Sequence, residues 1–129
     1  MVDPIEKIAA LAQEHDIACH VDGCIGGFIL SLYRQLGHPV PEYDLGVPGV
    51  TSISLDPHKY GFAPLGASVV LFKNADIRKH ALFTCTGWPG YTLVNPTVQS
   101  SRSAGPLAAT WALYKHMGLE GYHQIAGKL

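Results

Sequence analysis

Little in this 129-residue sequence points to a membrane, to nucleic acid or to an oxidising compartment. No apolar run approaches the roughly 20 residues of a spanning helix. No charged segment followed by an apolar one opens the chain as a leader would. Charged residues are scarce, at 15%, and the net charge is −1. The basic residues are scattered rather than striped, which argues against a nucleic-acid partner. Cysteine is limited to Cys19, Cys24 and Cys85. An odd count without zinc-type spacing reads as free thiols in a reducing cytoplasm. Internal repeats and low-complexity tracts are absent as well. What remains is a 47% apolar chain, enough for one modest soluble domain with a real core.

The segment from Asp3 to His15 has the pattern of a helix. Asp3 is placed to cap it, Pro4 suits its first position, and Glu6 stands in a capping-box relation to Asp3. Ile5, Ile8, Ala9 and Ala12 recur at helical spacing and should face a sheet. Ile17 to Asp22 reads as a short buried parallel strand, with His20 and Asp22 on one face. After Gly23, Gly26 and Gly27, the stretch from Phe28 continues as a helix ending at Gly37. The Pro- and Gly-rich segment 38–49 is loop, and Val50 to Leu55 is a second strand. The short turn-rich link 60–66 then favours an antiparallel return along Ala67–Lys73. Ala75 to Phe83 reads as a short helix, and Cys85 to Arg102 as one long loop. Ser103 starts a final helix with an apolar stripe of Leu107, Trp111 and Tyr114, interrupted at Gly118. The order α-β-α-β-β-α-α implies a layered α/β arrangement of three strands, mostly parallel with one antiparallel, and a sheet that is incomplete at its N-terminal side.

Two strand ends carry the chemistry. HVDG (His20 to Gly23) closes the first strand and DPHKYG (Asp56 to Gly61) follows the second. If the strands are parallel neighbours, a right-handed crossover brings both carboxyl ends to one rim, so that Asp22 and Lys59 face one pocket. An acid and an amine so placed suit pyridoxal phosphate, with Lys as imine former and Asp as partner of the pyridinium nitrogen. As an imine former Lys59 should have a lowered amine pKa, from an apolar pocket and nearby positive charge. Each residue also has a plainer reading. Asp22 is equally a turn or cap carboxylate, Lys59 a surface lysine, and His58 a local hydrogen-bond partner rather than a phosphate contact or proton donor. His20 either orients Asp22 or is a buried structural histidine. A cation held by His20, Asp22 and His58 is a further possibility, although no wider ligand cluster supports it.

Taken together, HVDGCIGGF, GVTSIS, DPHKYGFAP and the later WPGY, NPT and SSRSAG resemble the pyridoxal-phosphate-dependent group II decarboxylase family, and within it the branch of sphingosine-1-phosphate lyases. The resemblance runs through essentially all 129 residues. It implies the fold type I large domain and a homodimer with sites at the subunit boundary. It makes Lys59 the covalent attachment point and Asp22 the pyridinium partner. His58 would lie at the cofactor phosphate, His20 would be among the cofactor-binding residues, Cys24 would take the small-residue position under the ring, and Ser101 would reach the phosphate held by the neighbouring subunit.

The same resemblance exposes departures. Leu65 stands where the lyases usually carry a phosphate-binding lysine, a loss worth roughly 1.5–3 kcal/mol for one bond to a charged group. Pro57 is closer to the amino-acid decarboxylases, and Ser100 and Ser103–Ala104 replace a more usual Gly-Ser-Arg-Pro-Gly run. The family's enzymes are several times longer. Residues 1–129 therefore correspond to the second half of the large domain, with the phosphate cup expected before residue 1 and the small domain after Leu129. Three readings follow: a piece of a carbon–carbon lyase, a piece of an amino-acid decarboxylase, or a remnant that keeps these residues and binds no cofactor. The substrate is a small molecule, either a long-chain base phosphate or an amino acid.

Overall fold

The computed structural model of the chain describes residues 2–99 and 101–129; Ser100, one of the departures above, lies outside the described residues. Helix α1 spans Ile5–Glu14, strand β1 Cys19–Asp22, helix α2 Gly26–Gln35 and strand β2 Val50–Leu55. Strand β3 (Val69–Phe72), a short α3 (Ala75–Arg78) and strands β4 (Phe83–Cys85) and β5 (Leu93–Asn95) follow, and α4 (Gly105–Ala126) is last. Strands β1, β2 and β3 form one sheet in that order, β1 parallel to β2 and β3 antiparallel to it. With α2 as the connection between β1 and β2, this is the expected α/β arrangement, and the antiparallel return after Lys59 is present.

The β1–β2 ladder contains an irregularity that fixes the site. Cys19 pairs with Val50, but His20 pairs with Ser52, so Thr51 is the extra residue on β2. Its hydroxyl donates to the Cys19 carbonyl at 2.8 Å. Beyond it the register runs on to Asp22 opposite Ser54.

Several expectations need correction. Asp3 does not cap α1 through its side chain; Pro4 is the N-cap, and the Asp3 carbonyl accepts from the Ile5 N–H. Ile8 is exposed, because the narrow packing face of α1 is filled by Ile5, Ala9 and Ala12. The long loop 85–102 is not structureless: β5 lies within it and pairs antiparallel with β4 as a separate two-stranded sheet. The described residues thus hold five strands, not three. The helix expected over 75–83 ends early, passing through a 3-10 turn at Lys79–Ala81 into β4. On α4, only Tyr114 of the apolar stripe turns inward, beside Phe28 and Tyr122, while Leu107 and Trp111 stay exposed. A ten-residue α2 is about 15 Å long, too short to cover the first turns of the 22-residue α4. The break at Gly118 is real, with φ 56° and ψ −179°.

Two clusters make the core. One joins Ala9 of α1 to Cys19, Val21, Val50 and Ile53 of the sheet, with Tyr43 and Val47 contributed by the loop 38–49. The other joins Ile29 and Leu32 of α2 to Tyr122 and Ala126 of α4. The loop expected over 38–49 thus contributes two buried residues to the core. Arg34 pins it, with ion pairs to Glu42 at 3.3 Å and Asp44 at 3.2 Å and its guanidinium 5.3 Å over the Tyr43 ring. The Tyr43 hydroxyl donates to the Gly27 carbonyl at 3.0 Å.

Gly49 closes this loop in the left-handed region at φ 90°, where a Cβ would lie 2.4 Å from the Ala9 carbonyl oxygen. Strain of this kind costs roughly 1–3 kcal/mol before any clash is counted. Gly49→Ala is therefore expected to lower the unfolding free energy by at least that much, read as a lower urea midpoint at an unchanged slope. An unaltered midpoint would show that α1 is free to back away from the loop.

Candidate active site

The carboxyl ends of β1 and β2 lie side by side, and the charged groups gather there. Asp22, last residue of β1, accepts through Oδ1 from the Cys24 N–H and the Ser54 hydroxyl, both at 3.1 Å. Gly23 permits this approach, since a Cβ there would meet the Ser54 carbonyl at 2.8 Å. The Cys24 side chain and N–H, then Ser54, hold the Asp22 carboxyl below its ordinary pKa, with a smaller contribution from the Lys59 charge. Asp22 therefore stays ionised as pH falls into the ordinary carboxylate range.

Across the rim, Asp56 to Ala63 forms a tight knot after β2. The Lys59 N–H donates to the Asp56 carbonyl at 3.0 Å, the Phe62 N–H to Lys59 at 2.9 Å, and the Ala63 N–H to Pro57 at 3.0 Å. Phe62 takes φ 57°, a strained value for a bulky residue and of the kind found where a loop is over-determined for function. The Tyr122 hydroxyl ties the knot to α4 by donating to the Gly61 carbonyl at 2.7 Å.

Within this knot Lys59 Nζ lies 2.9 Å from Asp56 Oδ2. The expectation of a lowered amine pKa is overturned. Hydrogen bonding to Asp56, and then to the Cys24 side chain, pushes the Lys59 pKa well above its ordinary value. Opposite charge at short range outweighs the slight desolvation of a side chain that is one-third exposed. Asp56 is held low in turn, by its bonds from Lys59 and Ser68.

His58 Nδ1 is 3.1 Å from the Ala67 carbonyl, so the ring donates there from a protonated Nδ1, and Nε2 faces Asp56 at 3.8 Å. Cys24 donates its N–H to Asp22, and its side chain contributes to holding the proton on Lys59. His20 does not orient Asp22: its Nδ1 is 2.8 Å from the Ser52 hydroxyl, and the residue is exposed rather than a buried structural histidine. Ser101 is exposed between β5 and α4, with no hydrogen bond to the rim among the described residues. His20, Asp22 and His58 do not form a cation cluster, and no group of three potential metal ligands occurs among the described residues. A cleft of about 410 Å³ opens beside Asp22, Gly23 and Tyr60 but is lined by neither Lys59 nor His58, so the charged rim is an open edge rather than that cleft.

Reasoning from sequence missed Asp56 and Ser68. The signal for Asp56 was present, an acid three residues before a lysine in a tight turn. Ser68 had none, since its position depends on the return of β3.

Comparison with known proteins places the chain in a family. A family model described as the pyridoxal-dependent decarboxylase conserved domain matches residues 1–129. A sphingosine-1-phosphate lyase of Oryza sativa subsp. japonica is 49% identical over 129 residues, covering all of this chain and 24% of that protein. The structure of the Burkholderia pseudomallei sphingosine-1-phosphate lyase superposes with a TM-score of 0.92 at 44% identity, over 98% of this chain and 29% of that one. A glutamate decarboxylase of Lactobacillus brevis, at 23% identity and a TM-score of 0.77 over 99% of this chain and 30% of its own, shares the fold. The chain spans about a quarter of the length of the curated relatives it matches. Among the described residues no helix is long and apolar enough to cross a membrane.

Proposed function

The chain belongs to the pyridoxal-dependent decarboxylase family, and from that premise we propose that residues 1–129 form the second half of a large domain supplying the lysine, acid and histidine of a pyridoxal phosphate site. The enzyme so formed is a carbon–carbon lyase acting on a phosphorylated long-chain base, releasing an aldehyde and phosphoethanolamine. The observation that carries this reading is the pairing of β1 with β2 in parallel, with Asp22 ending one strand and Lys59 following the other.

The donor set fits the cofactor. Bound there, pyridoxal phosphate supplies a protonated pyridine ring that draws electrons from a bond at the substrate's α-carbon. Asp22 is the partner for the ring nitrogen: ionised, fixed by two hydrogen bonds, and able to hold a proton on that atom. Lys59 is the amine that captures the aldehyde, once it has given up a proton and left Asp56. His58 is assigned to the phosphate or to proton donation, and Cys24 to the face of the ring. His20 lies on the same strand face as Asp22 and completes the β1 side. Ser101 is assigned to the phosphate of a neighbouring subunit, which makes the working form a homodimer. A cytoplasmic location accords with three unpaired cysteines.

Amino-acid decarboxylation is the second reading, favoured by two positions. Leu65 is 78% exposed and offers no cation for a substrate phosphate, and Pro57 in DPHK resembles the amino-acid decarboxylases more than the lyases.

The test is to incubate the purified chain with pyridoxal phosphate, reduce with borohydride and map adducts by peptide mass. An adduct confined to Lys59, and lost when the chain is unfolded first, supports the site. Adducts scattered over Lys7, Lys73 and Lys79, or none, would overturn a selective site in this chain. Release of an aldehyde from long-chain base phosphates, against carbon dioxide from amino acids, separates the two reactions.

A further inference from the structure

We infer that Asp56 is a positioning residue for Lys59, a dock that receives the amine whenever it is not attached to the cofactor and keeps it away from Asp22. The inference rests on the assignment of Lys59 as the capturing amine and adds a residue to it.

The geometry is asymmetric in a way that a chance ion pair need not be. Fully exposed pairs often contribute nothing measurable. Here the carboxylate is fixed independently of the lysine. Ser68, at the entry to β3, donates to Asp56 Oδ1 at 2.5 Å, leaving Oδ2 for Lys59 Nζ at 2.9 Å. The Asp56 side chain is 15% exposed against 33% for Lys59. The anion stays in place when the cation departs.

Two acids thus face one amine with different duties. Asp22 is occupied by the Cys24 N–H and the Ser54 hydroxyl, and Asp56 takes the ammonium. The groups acting on Lys59 are Asp56 from its own turn and Asp22 and Cys24 from the end of β1, while His58 Nε2 faces Asp56 at 3.8 Å. Without Asp56, the remaining carboxylate is Asp22. The ammonium would then drift toward Asp22, whose Oδ1 is already taken by the Cys24 N–H and the Ser54 hydroxyl, a looser pairing that holds the proton less tightly than Asp56 does and leaves the amine out of position.

The amine reacts only as the free base, so the dock also sets the pH at which Lys59 becomes nucleophilic. Trace acylation of the cofactor-free chain from neutral to strongly alkaline pH, read by peptide mass, gives a midpoint for every lysine. The Lys59 midpoint is expected to lie above those of Lys7 and Lys115. In Asp56→Asn it should fall, making Lys59 roughly tenfold more reactive at a fixed pH below the midpoint for each unit of displacement. Ser68→Ala should move it the same way by less, and Asp56→Glu should restore part of the shift. Lys7 and Lys115 serve as internal references and should not move. A Lys59 midpoint unchanged in a folded Asp56→Asn chain overturns the inference. If that variant does not fold, an unchanged midpoint in Ser68→Ala does so instead. No cofactor enters the measurement, so failure here differs from failure of borohydride trapping, which would remove the cofactor reading and leave the ion pair standing.

Discussion

Replacing Lys59 with alanine is expected to remove the trapped adduct entirely and to lower turnover of the working enzyme by several orders of magnitude, the scale on which loss of a covalent nucleophile acts. Lys73 is committed to the Leu45 carbonyl and Lys79 to Asp76 at 3.1 Å, both away from the rim. The change also leaves Asp56 without its counter-ion, so loss of fold must be separated from loss of chemistry. Lys59→Arg does this. A guanidinium can keep the pair with Asp56 but cannot capture an aldehyde, so this variant should be folded, adduct-free and inactive. Wild-type turnover in either variant would sink the assignment of Lys59.

Asp22→Asn is expected to separate capture from catalysis. The amide oxygen can still accept from the Cys24 N–H and the Ser54 hydroxyl, so the strand end should keep its shape. Lys59 is held by a different acid, so adduct formation should persist at close to the wild-type extent. What is lost is a fixed negative charge where a proton must be held, and removing one preorganised electrostatic partner typically costs on the order of 10²–10³ in rate. The adduct yield and the turnover number of the same preparation should therefore diverge. If they fall together, Asp22 is needed for binding rather than for the chemical step. If neither falls, Asp22 is a turn residue only.

The parts of the molecule legible in its sequence were those where local pattern and tertiary environment agree. The strand ending at Asp22, the helix ending before Gly37 and the antiparallel return through Val69–Phe72 all combine apolar runs with Gly-rich punctuation. Strands β4 and β5 were not legible. Three residues each, set among Gly, Pro and Thr, they carry too little periodicity and are defined only by each other. The prolines and glycines of 38–49 mark a loop but not the burial of Tyr43 and Val47, which comes from contacts to elements distant in sequence. At the site, motif and spacing marked Asp22 and Lys59, while the electrostatics of Lys59 went the other way from expectation. A lysine read in isolation shows its stem and its neighbours in sequence. The turn that brings Asp56 Oδ2 to its nitrogen exists only once the chain has folded.

The extra residue at Thr51 has a consequence for how this site can change. Were the ladder regular from Cys19 and Val50 onward, Asp22 would stand opposite Ile53 instead of Ser54, a displacement of about 3.3 Å along the strand. It would then lose the hydroxyl that fixes it. A sheet offers no intermediate positions, since each one-residue slip also turns every side chain to the other face. The separation of acid and amine is therefore a discrete setting, like a tooth on a gear. Small substitutions within β1 or β2 leave it untouched until one of them moves the chain by a whole step. Gradual tuning of the chemistry falls to the turns beyond the strands, where Cys24, Pro57 and Leu65 reside.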